Sequence, residues 1–260
     1  MLILLPPSET KRDGGTGKPV NLTRLLGAKQ QEDARTRVTE AVVDLAQNPT
    51  ACAAALGLSP RQSAEIAHNA ALMTSPTMPA VDRFTGVLFD ALNASTLPDE
   101  AREFLGAHTA IQSACFGLIG GLDPIPAYRL SFDSRLPSLG SSLKRLWAPV
   151  GENVLAGVDD FLLDMRSEGY AALAPLPPTS SATYLRVVTT DSNGQTRALN
   201  HFNKKGKGEF LRALALDSPH SSGISSVDDL CGWGVEHGFT LVTSSGAETR
   251  LLVANALPEN

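Results

Sequence analysis

Cysteine, aromatic side chains and long apolar runs are all scarce in this chain of 260 residues. The three cysteines, Cys52, Cys115 and Cys231, lie far apart and form no CxxC pair, which argues against a zinc or redox site and favours a reduced, cytosolic compartment. No stretch comes near the roughly 18 consecutive apolar residues that suggest a membrane helix, and the opening "MLILLPP" is too short for a signal peptide. We therefore expect a cytoplasmic protein that has no membrane partner.

Net positive charge is lacking as well. The formal net charge is −5 and the sequence pI is about 5.5, which speaks against a protein that coats nucleic acid by bulk charge but is compatible with a local basic groove. The five histidines show neither H-x-x-x-H nor H-E-x-x-H spacing, and we predict no metal and no cofactor. Hydrophobic residues make up 42% of the chain and charged residues 19%, which is typical of a globular protein.

Apolar periodicity and turn residues predict a chain that is helical at first and mixed afterwards. The predicted helices cover 32–47, 59–73 (opened by a capping box at Ser59 and Gln62), 80–92, 98–106, 205–216 and 226–237. The predicted strands cover the apolar start, 108–118, 161–165, 239–245 and the two arms "ATYLRVVTT" and "QTRALNHF" of a hairpin around Asn193-Gly194. The expected fold is α+β (mixed α/β), with a helix-rich N-terminal part and a mixed sheet in a single compact domain over residues 1–260.

The segment "HFNKKGKGEFLR" at 201–212 concentrates lysine and glycine. Its charged residues are Lys204, Lys205, Lys207 and Arg212, against the single acid Glu209. A strand, a Lys/Gly turn and a helix start in succession predict a phosphate cradle, because glycine lets a ligand approach the free N–H groups of a helix start. The alternative is a solvated basic helix start whose glycines serve the turn. The segment is not a Walker A loop, since G-x-x-x-x-G-K-[ST] is absent.

Two further basic clusters occur earlier in the chain. The stretch "YRLSFDSRLPSLGSSLKRLW" at 128–147 carries Arg129, Arg135, Lys144 and Arg145 among the aromatic residues Tyr128, Phe132 and Trp147. The loop after the first strand carries Lys11, Arg12 and Lys18. Arginine beside aromatic rings suits phosphate contact and base stacking. For Arg129 and Arg135 structural ion pairing is equally open, and Phe132 and Trp147 are predicted to be core residues.

Five stretches of the sequence are distinctive in their order and spacing. They are "LLPPSETK" at 4–11, "FGLIGGLDPIPAYRLSFDSRL" at 116–136, "LWAPVGENVL" at 146–155, "RSEGY" at 166–170 and "HFNKKGKGEF" at 201–210. Together they resemble the YaaA family of bacterial peroxide-stress proteins, from the first strand to about residue 245. The resemblance implies a cytosolic protein with a mixed α/β fold peculiar to the family and a positively charged cleft that binds DNA. It also implies a role in limiting peroxide damage, linked to keeping free iron low.

The motifs of the family fall on particular residues of this chain. They are Tyr128, Arg129, Leu130, Arg135 and Leu136 for an aromatic-Arg-Leu…Arg-Leu pattern, Lys204, Lys205, Lys207 and Gly208 for a basic pattern, and Ser167 and Tyr170 for a Ser…Tyr pair. Two positions depart from the family pattern. Glu9 stands where many relatives have lysine, with Lys11 nearby as a substitute, and Lys207 replaces an arginine, which keeps the charge but loses bidentate phosphate geometry.

The resulting prediction is a peroxide-stress protein whose basic cleft binds DNA through its phosphate backbone, without sequence specificity. The residues predicted to contact phosphate are Lys11, Arg12, Lys18, Arg129, Arg135, Lys144, Arg145, Lys204, Lys205, Lys207 and Arg212. The further polar residues predicted for the cleft are Ser8, Tyr128, Ser167, Glu168, Tyr170 and Asn203. No catalytic residue is predicted in this interpretation.

Two other interpretations remain open. In the first, the chain is an enzyme acting on a phosphorylated small molecule or a nucleic-acid end. There Arg129, Arg135 and Lys205 would hold phosphate, and Ser167, Glu168 or Tyr170 would transfer protons. A closed pocket of metabolite size would favour this interpretation, whereas a long open groove would favour DNA. In the second, the chain is a structural or interaction module, and its basic clusters scatter over the surface.

Overall fold

A computed structural model of the chain describes residues 1–178, 181–190, 196–197, 200–244 and 248–253. The strands are β1 (Leu2–Leu5), β2 (Met78–Pro79), β3 (Thr109–Ser113), β4 (Gly117–Gly120), β5 (Pro124–Ile125), β6 (Leu162–Asp164), β7 (Ala182–Thr190), β8 (Thr196–Arg197), β9 (Thr240–Thr243) and β10 (Glu248–Val253). The helices are α1 (Ala28–Ala46), α2 (Pro49–Leu56), α3 (Ala64–Ala70), α4 (Ala80–Arg83), α5 (Val87–Leu92), α6 (Asp99–His108), α7 (Leu143–Ala156), α8 (Glu168–Ala171), α9 (Asn200–Leu216), α10 (Ser218–Ser221) and α11 (Val227–Glu236). The predicted mixed α+β fold class is confirmed.

The main sheet is mixed, with parallel strands at its centre. Its order is β4-β3-β1-β6-β7-β10-β9, with β8 paired to β7, and β2 and β5 form a separate small ladder. The strands from β3 to β10 in this order run parallel, while β4 and β9 pair antiparallel at the two edges. In register, Ile3 of β1 lies opposite Thr109 on one side and Leu163 on the other. A parallel centre explains the unbroken apolar run of β1, because such strands are covered on both faces.

The two faces of β1 point into different parts of the core. Ile3 and Leu5 belong to the large apolar cluster, which also takes in side chains of α1 and α9. Leu4 points the other way, into a smaller cluster with Leu118 and Leu155. The side chains of Ile3, Leu4 and Leu5 are all fully buried. The first strand therefore anchors the layers on both sides of the sheet.

The connections of the central strands diverge between β1 and β6. The chain leaves the carboxyl end of β1 and returns on one side as β3, whereas it leaves the carboxyl end of β6 and returns on the other side as β7. Where neighbouring parallel strands send their connections in opposite directions, a crevice opens at their carboxyl ends. The fold therefore predicts a ligand site beside the residues that follow β1 and β6.

The N-terminal helices follow the sequence pattern with two breaks. Helix α1 buries Val38 and Val42 as predicted, and the side chain of Asn48 caps α2. The capping box at Ser59 and Gln62 is present, but it heads a short 3-10 turn rather than a continuous helix to residue 73. The predicted helix at 80–92 is split into α4 and α5, because Gly86 adopts a φ of +93°, which an α-helix cannot contain.

In the second half of the chain some predicted elements are confirmed, others were not predicted, and one predicted helix begins at a different residue. Strands β6 and β9 and helix α11 confirm predictions, while α7 and β10 were not predicted. Helix α9 begins at Asn200 instead of 205, so the second arm of the predicted hairpin is reduced to the two residues of β8. The predicted turn at Asn193-Gly194 lies outside the described residues. Among the helices that the structure describes, none combines the length and the apolar character needed to cross a bilayer.

Candidate functional site

A pocket of about 730 Å³ opens at the carboxyl ends of β1 and β6. Three parts of the chain form its walls. The first is the loop 6–10 after β1 together with 85–89 at the start of α5, the second is the segment 165–170 after β6, and the third combines β7 with α9. The pocket therefore lies where the diverging strand connections predict a crevice.

The loop after β1 is held in place by backbone contacts and by Lys11. Pro6 and Pro7 have no N–H to continue the strand ladder, so the chain leaves the sheet there. The backbone N–H of Thr85 donates to Ser8 Oγ at 3.1 Å. The Nζ of Lys11 donates to the carbonyl of Ser8 at 2.9 Å and lies 4.0 Å from the centre of the Tyr128 ring. Burial lowers the pKa of Lys11 to about 8.

Glu9 places a carboxylate in the first wall of the pocket. Ser131 Oγ donates to its Oε1 at 2.7 Å, and the guanidinium of Arg129 lies 3.3 Å from its Oε2. Arg129 also donates to the carbonyl of Glu9 at 3.2 Å. For Arg129 the structure thus shows the ion pair that the sequence left open as an alternative to phosphate contact. This wall therefore carries a negative charge, which the neighbouring Arg129 balances.

The segment after β6 is fixed by a buried ion pair. Arg166 holds both carboxylate oxygens of Asp164, with Nη2 to Oδ2 at 2.7 Å and Nε to Oδ1 at 2.9 Å, and donates to the carbonyl of Ala174 at 2.8 Å. A buried, fully bonded pair of this kind determines where the backbone turns. It leaves Ser167 and Glu168 on the wall of the pocket.

Two aromatic rings form the floor beside that segment. Tyr170 meets Phe132 edge to face, with ring centres 5.2 Å apart. The close approach depends on Gly169, because a Cβ there would lie 2.5 Å from the Phe132 ring. Burial, followed by the negative charge of Glu9, raises the pKa of the Tyr170 hydroxyl. Phe132 is 37% exposed, so its predicted place in the core is wrong, whereas Trp147 is fully buried as predicted.

Helix α9 contributes Asn203, Lys204 and Lys207 to the third wall. Lys204 is exposed, whereas Lys207 is only 4% exposed. The Nζ of Lys207 donates to the carbonyl of Met165 at 2.9 Å and lies 4.9 Å from the centre of the Tyr184 ring. Burial is the main reason why the pKa of Lys207 falls to about 8. The Oδ1 of Asn203 is buried and accepts no hydrogen bond from the described residues.

Strand β7 adds Tyr184 and Arg186 to the same wall, and neither was predicted as a site residue. Arg186 Nε donates to Glu248 Oε2 at 2.9 Å, and its Nη2 lies 4.0 Å from Glu168 Oε1. The period of two in "ATYLRVVTT" could have placed Tyr184 and Arg186 on one face of the strand. The sequence did not show that this face borders a pocket.

The structure brings together part of the predicted site. The predicted residues that line the pocket are Ser8, Ser167, Glu168, Tyr170, Asn203, Lys204 and Lys207. Those that do not line it are Lys11, Arg12, Lys18, Tyr128, Arg129, Arg135, Lys144, Arg145, Lys205 and Arg212. The three basic segments therefore do not share this pocket, and only the segment around Lys204 contributes lysine to it.

The predicted Lys/Gly turn at 204–208 is wrong, since these residues lie inside α9. Gly208 serves helix packing rather than a ligand, because a Cβ there would lie 2.2 Å from the carbonyl oxygen of Leu88 in α5. Lys205 pairs with Glu209 on the helix surface at 3.4 Å. Arg212 donates to the carbonyl of Leu92 at 2.8 Å and so caps the end of α5.

The remaining predicted residues have other surroundings. Tyr128, predicted as a polar residue of the cleft, is fully buried and bonds to Ser113 Oγ at 2.7 Å. Lys144 and Arg145 are exposed in the first turn of α7. Arg12, Lys18 and Arg135 are exposed in loops.

Comparison with known proteins agrees with the motifs. A family model described as "Peroxide stress protein YaaA" matches residues 1–241. A UPF0246 protein of Corynebacterium glutamicum (strain R) is 38% identical over 242 residues, which covers 91% of this chain and 95% of that protein. A UPF0246 protein of Streptomyces coelicolor is 35% identical, covering 91% and 92% of the two chains, and one of Bacteroides thetaiotaomicron is 28% identical, covering 72% and 73%. The chain therefore belongs to the YaaA family of peroxide stress proteins.

Proposed function

We propose that this protein acts in the response to peroxide stress by binding a small anionic molecule, such as a phosphorylated metabolite, in the pocket described above. The observation that carries the proposal is the pocket itself. Its volume of about 730 Å³ falls within the range of about 300–1,000 Å³ that is usual for small-molecule sites. Its position at the carboxyl ends of β1 and β6 is the usual position of ligands in sheets with a parallel centre.

The charges around the pocket indicate which chemical groups it would hold. Lys204 and Arg186 come from the third wall and would face the anionic group of a ligand. Glu9 and Glu168 come from the other two walls and would accept hydrogen bonds from hydroxyl or amino groups. This distribution of charge favours a molecule that carries both kinds of group over a simple anion.

Ser167, Glu168 and Tyr170 lie on the second wall, where a bound ligand would be within their reach. They are the groups that would transfer protons if the protein is an enzyme. The geometry supports binding more directly than it supports any one reaction, and the proposal is limited to binding.

Binding to DNA is the second proposal, with a role in limiting iron-driven damage. The observation in its favour is that Lys204 and Lys205 are both exposed on α9, with Lys204 on the wall of the pocket. A nucleic-acid backbone passing along α9 would meet both lysines, and a terminal phosphate would enter the pocket. If about three to five cations contact phosphates, the logarithm of the affinity would fall with the logarithm of the salt concentration with a slope of roughly −3 to −4.

Isothermal titration would test the first proposal, with inorganic phosphate, a glycerol phosphate and a nucleoside monophosphate as ligands. Lys204→Gln and Arg186→Gln should each weaken binding roughly tenfold, since each removes a charge-assisted hydrogen bond. Lys144→Gln is the matched control, because Lys144 is equally exposed but lies away from the pocket. Absence of binding by all three ligands, or equal loss in the control variant, would contradict the proposal.

A gel retardation assay at low salt would test the second proposal. The double variant Lys204→Ala/Lys205→Ala should reduce the retardation, while Lys144→Ala/Arg145→Ala should leave it unchanged if α9 is the contact surface. Glycerol phosphate should compete with a short duplex only if a terminal phosphate enters the pocket. No retardation at low salt, or retardation that the α9 variant does not change, would exclude DNA binding at this site.

A further inference from the structure

Lys207 differs from an ordinary structural lysine because it is buried on a pocket wall and has only one hydrogen-bond acceptor among the described residues. Its ammonium group could donate three hydrogen bonds. The structure gives it the carbonyl of Met165 at 2.9 Å and the face of the Tyr184 ring at 4.9 Å. Within the described part of the chain, no carboxylate forms an ion pair with its Nζ.

Burial, rather than the nearby charges, favours a neutral amine at Lys207. Asp164 is the acid that acts on it most strongly, but Arg166 already holds both oxygens of that carboxylate. Arg186, on the neighbouring strand, adds a second positive charge that opposes protonation of Nζ. Burial has the largest effect, outweighs the attraction of Asp164, and lowers the pKa of Lys207 to about 8. About a tenth of these side chains therefore carry a free lone pair at pH 7, and about half do so at pH 8.

A ligand bound as proposed would bring a reactive group to this amine. Lys204 precedes Lys207 by three residues on α9, and side chains with this spacing lie on the same face of a helix. Both line the pocket together with Arg186. An anionic group held by Lys204 or Arg186 would leave the rest of a small ligand beside Lys207 Nζ.

We propose that Lys207 Nζ is an amine nucleophile that forms a reversible Schiff base with a small anionic aldehyde or ketone, such as a keto acid or a triose phosphate. This inference rests on the proposed function, since it uses the same pocket, and it specifies the class of ligand. The lone pair of the amine attacks the carbonyl carbon and gives a carbinolamine. The carbonyl oxygen then leaves as water with the two hydrogens of the amine, and a C=N bond replaces the C=O bond. No oxidant or reductant is required.

The other lysines close to the pocket do not have the same combination of features. Lys204 and Lys205 are exposed on the surface of α9 rather than buried. The pKa of Lys11 is also lowered to about 8, but its Nζ donates to the carbonyls of Ser8 and Glu9 behind the loop, and the residue does not line the pocket. Lys207 alone among these four lysines combines burial, a single acceptor and a place on the pocket wall.

Reductive trapping tests the inference. The protein is incubated with glyoxylate or, separately, with dihydroxyacetone phosphate, then treated with borohydride and analysed by intact mass and peptide mapping. The expected result is one adduct per chain, located on Lys207, with a yield roughly tenfold or more above that of any exposed lysine, because its neutral fraction is larger. In the wild-type protein the rate of trapping should increase with pH and reach half its maximum near pH 8, the pKa of Lys207. Adducts spread evenly over exposed lysines would overturn the inference.

Variants and non-reactive ligands separate this inference from the proposed function. Lys207→Arg and Lys207→Met should lose the adduct, while Lys205→Arg should keep it, with folding checked by circular dichroism. Glycolate and glycerol phosphate have no carbonyl that an amine can attack, so their binding reports the pocket alone. If they bind but neither carbonyl compound is trapped, the Schiff base is excluded and the proposed function stands. If they do not bind and nothing is trapped, both proposals fail.

Discussion

Two buried cations of this protein, Arg35 and Lys207, have very different surroundings. Arg35 belongs to α1, and its side chain reaches towards the edge of the sheet. It donates to the carbonyls of Phe116, Leu22, Leu26 and Leu118 at 2.8–3.1 Å. Lys207 lies on the pocket wall and, within the part of the chain that the structure describes, donates to a single carbonyl. Both side chains are more than nine-tenths buried.

The difference indicates which of the two holds the fold together. A buried cation that donates hydrogen bonds from each of its nitrogens, as Arg35 does, stabilises the backbone that surrounds it, and removing it leaves carbonyls without partners. A buried cation with unused donors adds less to stability, because the cost of its burial is not balanced by bonds. The hydrogen-bond donors that Lys207 does not use are then available to a ligand, because Lys207 lies on the wall of a pocket that has space for one.

The largest expected effect on stability is that of replacing Arg35. Arg35→Met should lower the free energy of unfolding by about 4 kcal/mol, measured by urea denaturation, because the carbonyls of Leu22 and Phe116 lose this donor inside the protein. Gln31 continues to donate to Leu26 and Leu118, which limits the loss.

The control for Arg35 is Arg37→Met, two residues away on α1. Arg37 is half-exposed and only pairs with Asp33 at 3.5 Å, so its loss should cost about 0.5 kcal/mol or less. If the two substitutions lowered the free energy of unfolding equally, the hydrogen bonds of the buried Arg35 would not stabilise the fold more than the surface pair of Arg37 does.

The second effect concerns the helix that carries Lys207. Gly208→Ala should lower the free energy of unfolding by about 2 kcal/mol, because the new Cβ would lie 2.2 Å from the carbonyl oxygen of Leu88 and force α5 away from α9. Leu88 also lines the pocket, so the binding of glycerol phosphate should weaken in titration.

The control for Gly208 is Gly232→Ala in α11, where a Cβ meets no atom within 4 Å. This change should raise the free energy of unfolding by up to about 1 kcal/mol, since alanine is the better helix former. A stabilising effect of Gly208→Ala would show that the two helices separate without cost.

The smallest effect is a pH dependence due to Lys207. The pKa of Lys207 is about 8 in the folded protein and 10.5 in the unfolded chain, so between these two values the unfolded chain holds a proton that the folded chain has released. Stability due to this group therefore rises with pH over that interval. Between about pH 7 and about pH 9, the wild type should gain about 1 to 2 kcal/mol relative to Lys207→Met.

The control for the pH series is Lys205→Met, because Lys205 is exposed and pairs only with Glu209 on the helix surface. Its pH profile should run parallel to that of the wild type. If the pH profile of Lys207→Met also runs parallel to that of the wild type, the amine of Lys207 stays protonated in the folded state. That result would contradict the chemical difference between Lys207 and Arg35.

Much of the fold could be predicted because its elements follow local patterns. The apolar run of β1, the buried strand β6 and the amphipathic helix α1 all appear where the sequence places them. The family could be predicted as well, from five motifs in a fixed order. Helix α7 was missed because Pro149 lies within it, and proline usually argues against a helix interior.

The candidate site could be predicted only in part, because its character depends on distant contacts. Two glycines among three lysines favour a turn, yet α9 is helical there and uses Gly208 to approach α5. Arg129 is neutralised by Glu9, which lies 120 residues away in the sequence. Local patterns identify candidate cations but do not show which of them are already paired.

The pocket has a consequence for synthesis of the chain on the ribosome. Its first wall is complete once α5 has emerged, its second once residue 170 has emerged, but its third needs α9, which ends at Leu216. A nascent chain that ends before Asn200 contains β1, β3 and β6 but has neither Lys204 nor Lys207. A ligand that contacts these two lysines can therefore bind only after α9 has been synthesised and has left the ribosome.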